Sequence, residues 1–132
     1  MVRTVHIDDI EPFGDPEPAW RPVRHRLGVQ AFGVNAWTGA KAGDEVIEDH
    51  VEEADSPSRH EELYLVLDGR ATFTVDGEEV DARSGTFVFV PDPASRRGAV
   101  AREPGTTVLA IGAPKDEAYE VSRWERKHFP QG

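Results

Sequence analysis

The chain has 132 residues and a formal net charge of −10. That length supports one domain with a single core, and so acidic a composition argues against nucleic acid and anionic membranes as partners, since both call for basic patches. There is no cysteine, hence no disulfide framework or thiol chemistry; the opening MVRTVHIDDI has no apolar leader and no apolar run nears the roughly 18 residues of a membrane span, so the expected location is cytoplasmic.

Ten prolines and twelve glycines favour many short strands joined by turns. Val2–Ile10 reads as a short edge strand. Glu11–Pro22 holds four prolines and cannot be a helix; it reads as an extended arm anchored on the domain by Phe13 and Trp20. Leu27–Trp37 alternates at Leu27, Val29 and Ala31 and predicts a strand. Thr38–Gly43 is a turn, and Asp44–Val51 a strand. Glu62–Asp68 is a strand with Leu63, Leu65 and Leu67 on one face and Glu62, Tyr64 and Val66 on the other. Ala71–Val75 and Glu78–Ala82 flank Asp76–Gly77, a two-residue hairpin turn. Gly85–Val90 is apolar on both faces and stops at Pro91. Gly98–Arg102 and Thr107–Ala113 complete the strands. In the tail, either Ser122 N-caps a short helix containing Trp124 or the segment docks as an irregular strap. The organisation is an N-terminal arm over 1–26, a β domain over 27–113 and a tail over 114–132. Leu65, Val66, Phe73, Val75, Phe87, Val88, Val90, Leu109 and Ile111 are the expected core. Periodicity alone leaves a sandwich and a small barrel equally open.

The chemistry concentrates in Asp49–Gly69, DHVEEADSPSRHEELYLVLDG. His50 and Glu52 are two apart, as are His60 and Glu62, so each pair shares a face in an extended chain. Ala54–Ser58 reads as a turn. A hairpin centred near Ser56 would set His50 opposite Glu62 and Glu52 opposite His60, at about 4.5–5.5 Å between Cβ atoms. Two imidazoles and two carboxylates so placed make a divalent-metal site by ligand type, suited to iron, zinc, manganese or nickel. The competing reading is a solvated acidic loop, because Glu48, Asp49, Glu52, Glu53 and Asp55 crowd together. Against it, Glu62 falls on the Tyr64 and Val66 face, and an inward carboxylate needs a cation.

The same residues resemble the cupin family. Glu62, six residues, then Gly69 is similar to the end of the first cupin motif. Gly43 stands seven residues before His50, close to the spacing of that motif's glycine and first ligand histidine. Gly85, five residues, then Pro91 resembles the start of the second motif. The resemblance covers roughly 28–113 and implies an all-β fold, a double-stranded β-helix or jelly-roll barrel with the arm laid outside. His50 and Glu62 match the family's ligand positions. Glu52 stands where the family has its second histidine, with His60 a substitute from a longer loop. Arg96 stands where it has its last.

Two outcomes follow for the barrel interior. Either a metal is held by His50, Glu52, His60 and Glu62, with Arg96 pointing at an anionic ligand, or Arg96 takes the metal's place and neutralises a carboxylate. Tyr64 and Phe73 are candidate cavity residues. No nucleophile elbow, phosphate loop or dinucleotide fingerprint is present. The readings are a metal-dependent cupin enzyme acting on a small polar molecule, a metal-free barrel that binds or senses a small ligand, and a barrel serving only assembly. Strands apolar on both faces predict a homodimer, in keeping with the family resemblance.

Overall fold

A computed structural model describes residues 1–14, 18–52 and 59–130. The strand-forming stretches form nine strands among these residues: β1 (Ala19–Arg21), β2 (Gly33–Gly39), β3 (Glu45–His50), β4 (Glu61–Asp68), β5 (Arg70–Val75), β6 (Glu78–Arg83), β7 (Phe87–Val90), β8 (Arg97–Ala101) and β9 (Thr106–Ala113). They make two antiparallel sheets, β1-β2-β9-β4-β7 and β3-β8-β5-β6, stacked as the jelly roll expected. No helix among the described residues is long and apolar enough to cross a membrane.

Alternation sets what faces inward. On β4 the buried residues are Tyr64 and Val66, on β5 Ala71 and Phe73, on β7 Val88 and Val90, and on β8 Arg97, Ala99 and Ala101. With Val46, Ile47 and Val108 the apolar members form one core between the sheets. The β5–β6 turn is the Asp-Gly pair, with φ of 49° at Asp76 and 83° at Gly77. Type I′ geometry needs positive φ at both positions, which Asp tolerates and Gly adopts freely.

Several expectations are corrected. Residues 2–10 form no strand; Ile7–Asp9 is a single 3-10 turn capped by His6. The Leu27–Trp37 strand begins only at Gly33, as β2, because Leu27 ends a helix, α1 (Val23–Leu27). Gly28 ends α1 with φ of 75°, a left-handed cap that glycine adopts without strain. The arm is more than a cover, since β1 pairs with β2 and puts Trp20 opposite Trp37. In the tail, Ser122 does precede a helix, α2 (Arg123–His128), although its side chain makes no capping hydrogen bond. Among the expected core residues, Val66, Phe73, Val88 and Val90 are buried, whereas Leu65, Val75, Leu109 and Ile111 are half-buried. Phe87 is 63 % exposed and Phe89 55 %, because Val88 and Val90 take the inward positions of β7.

The outward face of β7, β4 and β9 is therefore apolar in register: Leu63 lies opposite Phe89 and Ile111, and Leu65 opposite Phe87 and Leu109. The arm and tail sit at the other end of this sheet, where Phe13, Trp20, Trp124 and Phe129 stack beside β1. Strand β7 is an open edge, and a two-fold axis beside it would pair the edge and the stripe with their own copies. A second copy of the chain is the proposed cover. Light scattering should give twice the 14.6 kDa chain mass, and Phe87→Glu with Phe89→Glu should give a folded monomer. A wild-type monomer at micromolar concentration would contradict this.

Candidate functional site

The two arms of the acidic stretch do not pair with each other. β3 pairs with β8, setting His50 opposite Arg97, while β4 pairs with β9 and β7. His50 and Glu62 thus belong to different sheets and meet across the barrel interior, not across a hairpin. The predicted turn at Ala54–Ser58 lies outside the described residues.

The meeting is close. His50 Nε2 is 2.8 Å from a Glu52 oxygen and 3.7 Å from Glu62 Oε1. His50 Nδ1 lies on the Glu48 carbonyl, and because a carbonyl only accepts, that nitrogen carries a proton. Three donor atoms, one each from His50, Glu52 and Glu62, fall within 4.8 Å of one another, a group able by type to hold a metal ion. His60 is outside that trio; its Nδ1 is 3.6 Å from Glu52.

The cation that completes the cluster is Arg97. It is fully buried, and its Nη1 donates to Glu62 Oε1 at 2.8 Å. Nε and Nη2 donate to the carbonyls of Ser95 and Asp92 at 2.8 and 3.0 Å, so the guanidinium is held by the loop before β8. The backbone N–H of Glu52 donates to Pro93 in the same loop at 2.8 Å. Tyr64 Oη also donates to Glu62 Oε1. Arg96, the residue expected inside, is exposed and reaches Asp49 at 3.2 Å. The loop from Pro91 takes one residue more than the spacing anticipates, and a shift of one position on a strand reverses the face. Phe73 is likewise not in the cavity wall; it packs in the core against Tyr64, with ring centroids 5.4 Å apart.

The charges settle one another. Burial opposes the charge on His50, but hydrogen bonds to Glu52, Glu62 and Glu48 outweigh it and hold the imidazolium up to about 10. Burial likewise opposes the charge on Glu62, and His50, Tyr64 and Arg97 together overcome it and pull its carboxyl below the usual range. Burial, reinforced by the Glu62 carboxylate, pushes the Tyr64 hydroxyl well above its ordinary value.

His50, Glu52, Glu62 and Tyr64 line a cavity of about 460 Å³, whose other walls include Trp37 on β2, Ile47 on β3 and, from the tail, Tyr119, Ser122, Trp124 and Glu125. The tail is fixed there by a buried ion pair between Arg24 on α1 and Glu125 on α2. Sequence reasoning missed Arg97 by one position and missed Asn35, Trp37, Tyr119 and Glu125 altogether. Their partners lie far along the chain, so no local pattern marks them.

The comparisons agree with this fold. The cupin-domain family model matches residues 43–111. Among solved structures, KdgF from Halomonas sp. is 19% identical, covers 89% of this chain and 97% of its own, and superposes with a TM-score of 0.70. An RmlC-like cupin from Desulfovibrio desulfuricans is 23% identical over 86% of this chain and 98% of its own, with a TM-score of 0.67. A predicted oxalate decarboxylase from Thermotoga maritima is 17% identical over 86% of this chain and 100% of its own, also with a TM-score of 0.67. At those identities the likeness shows the fold alone. No curated protein matches the chain.

The pH dependence of stability follows from the two shifts. His50 titrates higher in the folded chain than its ordinary 6.5, so its contribution is complete below about that pH and is lost as pH rises through about 10. Glu62 titrates lower when folded, so its contribution is present above the ordinary carboxylate range and is lost as pH falls through the lowered value. Urea unfolding at a series of pH values should show stability declining on the alkaline side, and His50→Gln should flatten that slope. An unchanged slope in His50→Gln would show that the imidazolium is not held. The family match itself covers more than half of the chain, and the chain belongs to the cupin domain family.

Proposed function

We propose that the protein is a binding barrel for a small polar molecule, with a site whose charge is balanced by the chain's own residues. The observation that carries this reading is the fully buried guanidinium of Arg97, 2.8 Å from Glu62. Arg97 and the imidazolium of His50 offset Glu52 and Glu62, two cations against two anions. A guanidinium stays charged at all relevant pH, so the balance needs no ion. Glu62 Oε1 already accepts from Arg97 and Tyr64, which leaves it poorly placed to bind a metal through that atom. Binding is favoured over proton-transfer catalysis because a general base works best with a pKa near the working pH, and His50 is held protonated up to about 10.

A second reading rests on the trio of His50, Glu52 and Glu62. Its donors lie within 4.8 Å, and the Nδ1 contact of His50 with Glu48 is the orientation that frees Nε2 for a metal. A divalent ion there would supply Lewis-acid and orienting chemistry. It would also displace the His50 proton and leave a net positive site beside Arg97, suited to an anionic ligand.

Metal analysis of protein purified without a metal-binding tag separates the two. The balanced site predicts metal far below one equivalent and a melting temperature indifferent to chelator. Near-stoichiometric iron, zinc, manganese or nickel would favour the second reading, as would a chelator-induced loss of stability; a metal bound only to the folded state adds about 2.7 kcal/mol at one hundred times its Kd.

A further inference from the structure

The tail that closes the cavity is attached differently from the rest of the chain. Strand β9 ends at Ala113. From there residues 114–121 run to α2 and, among the described residues, make no backbone hydrogen bond. Most of them are exposed. Helix α2 has only six residues, too few to be stable without packing. Backbone pairing therefore does not hold residues 114–130 on the barrel.

Side chains fasten the segment instead. Glu125 is 1 % exposed and Arg24 is fully buried, and their ion pair joins α2 to α1. Asn35 Nδ2 donates to the same carboxylate at 3.3 Å. The Trp124 ring centroid lies 4.9 Å from that of Trp20 and 5.7 Å from that of Trp37, and the Phe129 ring stacks on His25 at 3.6 Å. Tyr119 sits over bare backbone, since a Cβ on Gly33 would stand 3.1 Å from its hydroxyl. The ion pair resists opening less than its burial suggests, because two charges that part into solvent regain the hydration they lost. A segment with exposed backbone and side-chain anchors alone belongs to the low-stability end of a fold, which opens while the core stays folded.

We infer that residues 114–130 are a strap that opens as one unit and controls entry to the cavity, with the Arg24–Glu125 pair as its latch. Opening takes Tyr119, Ser122, Trp124 and Glu125 out of the cavity wall together. It leaves His50 and Glu62 in place on β3 and β4. This inference supplies the regulation of the binding site proposed above and rests on that reading for its use.

The chain has no cysteine, so Ala110→Cys on the cavity wall introduces a single thiol, and its rate of modification by N-ethylmaleimide reports entry. Adding Arg24→Met should raise that rate by about tenfold or more, the effect of losing one hydrogen bond between charged groups. Hydrogen exchange read by mass spectrometry follows the strap itself. In Arg24→Met, peptides covering α2 should exchange faster by a similar factor, while peptides from β4, β5 and β8 keep the protection of the wild type. Glu125→Gln keeps the shape of α2 and removes the other charge, so it should move both readouts the same way. The latch is overturned if either variant leaves α2 as protected as in the wild type. Loss of protection in α2 and the barrel alike would overturn the strap, because tail and core would then be one cooperative unit. A thiol modified equally fast with and without Arg24→Met would overturn the control of entry. Neither measurement uses a ligand, so the strap can fail while the binding function stands.

Discussion

The burial of one guanidinium organises the interior of this barrel. Arg97 has no exposed surface, and such a charge persists in a protein interior only with a carboxylate and a full set of acceptors around it. It finds Glu62 across the sheets and the carbonyls of Asp92 and Ser95 beneath it. Glu62 is then fixed between Arg97, Tyr64 and His50, and His50 is fixed between Glu62, Glu52 and Glu48. Take away the guanidinium and two carboxylates face each other over a single imidazolium. The chemistry available to the cavity is set by that balance.

The surrounding fold serves to hold this cluster and to close it. β3 and β4 deliver His50 and Glu62 from opposite sheets, and the loop before β8 ties Glu52 and Arg97 to one turn. The tail closes the cavity with Tyr119 and Trp124, locked by a buried ion pair that spans α1 and α2. Asn35 hands one end of its amide to that lock and turns the other away from it. The cavity therefore has a charged cluster and an aromatic wall, contributed by different parts of the chain.

Much of the frame is legible in the residues themselves. The alternation over Glu61–Asp68, the Asp76–Gly77 turn and the strand ending at Pro91 all report local geometry, and the structure has each of them. What failed to read locally depends on distant partners. Leu27, Val29 and Ala31 alternate, yet Leu27 ends a helix and the strand starts only at Gly33, and Arg24 on that helix meets Glu125 about a hundred residues on. The site residues divide the same way. His50, Glu52 and Glu62 announce themselves by type and spacing, and the structure brings them together, although across the barrel and not along a hairpin. Arg97 lost its place to Arg96 through one loop residue, and nothing local in the sequence distinguishes a polar Asn35 facing a cavity from one facing water. Phe87 and Phe89 show a further limit: a doubly apolar strand does not say which face turns inward, and here the smaller valines do.

A double-mutant cycle on Arg97 and Glu62 tests the central claim most directly. Arg97→Met alone should cost about 3–5 kcal/mol, since it leaves Glu62 buried without its cation. Adding Glu62→Gln should restore a large part of that loss, giving a coupling energy well above the few tenths of a kcal/mol within which independent sites add. Additive losses in the double variant would contradict the account, because they would mean that the two side chains meet in the barrel without depending on each other.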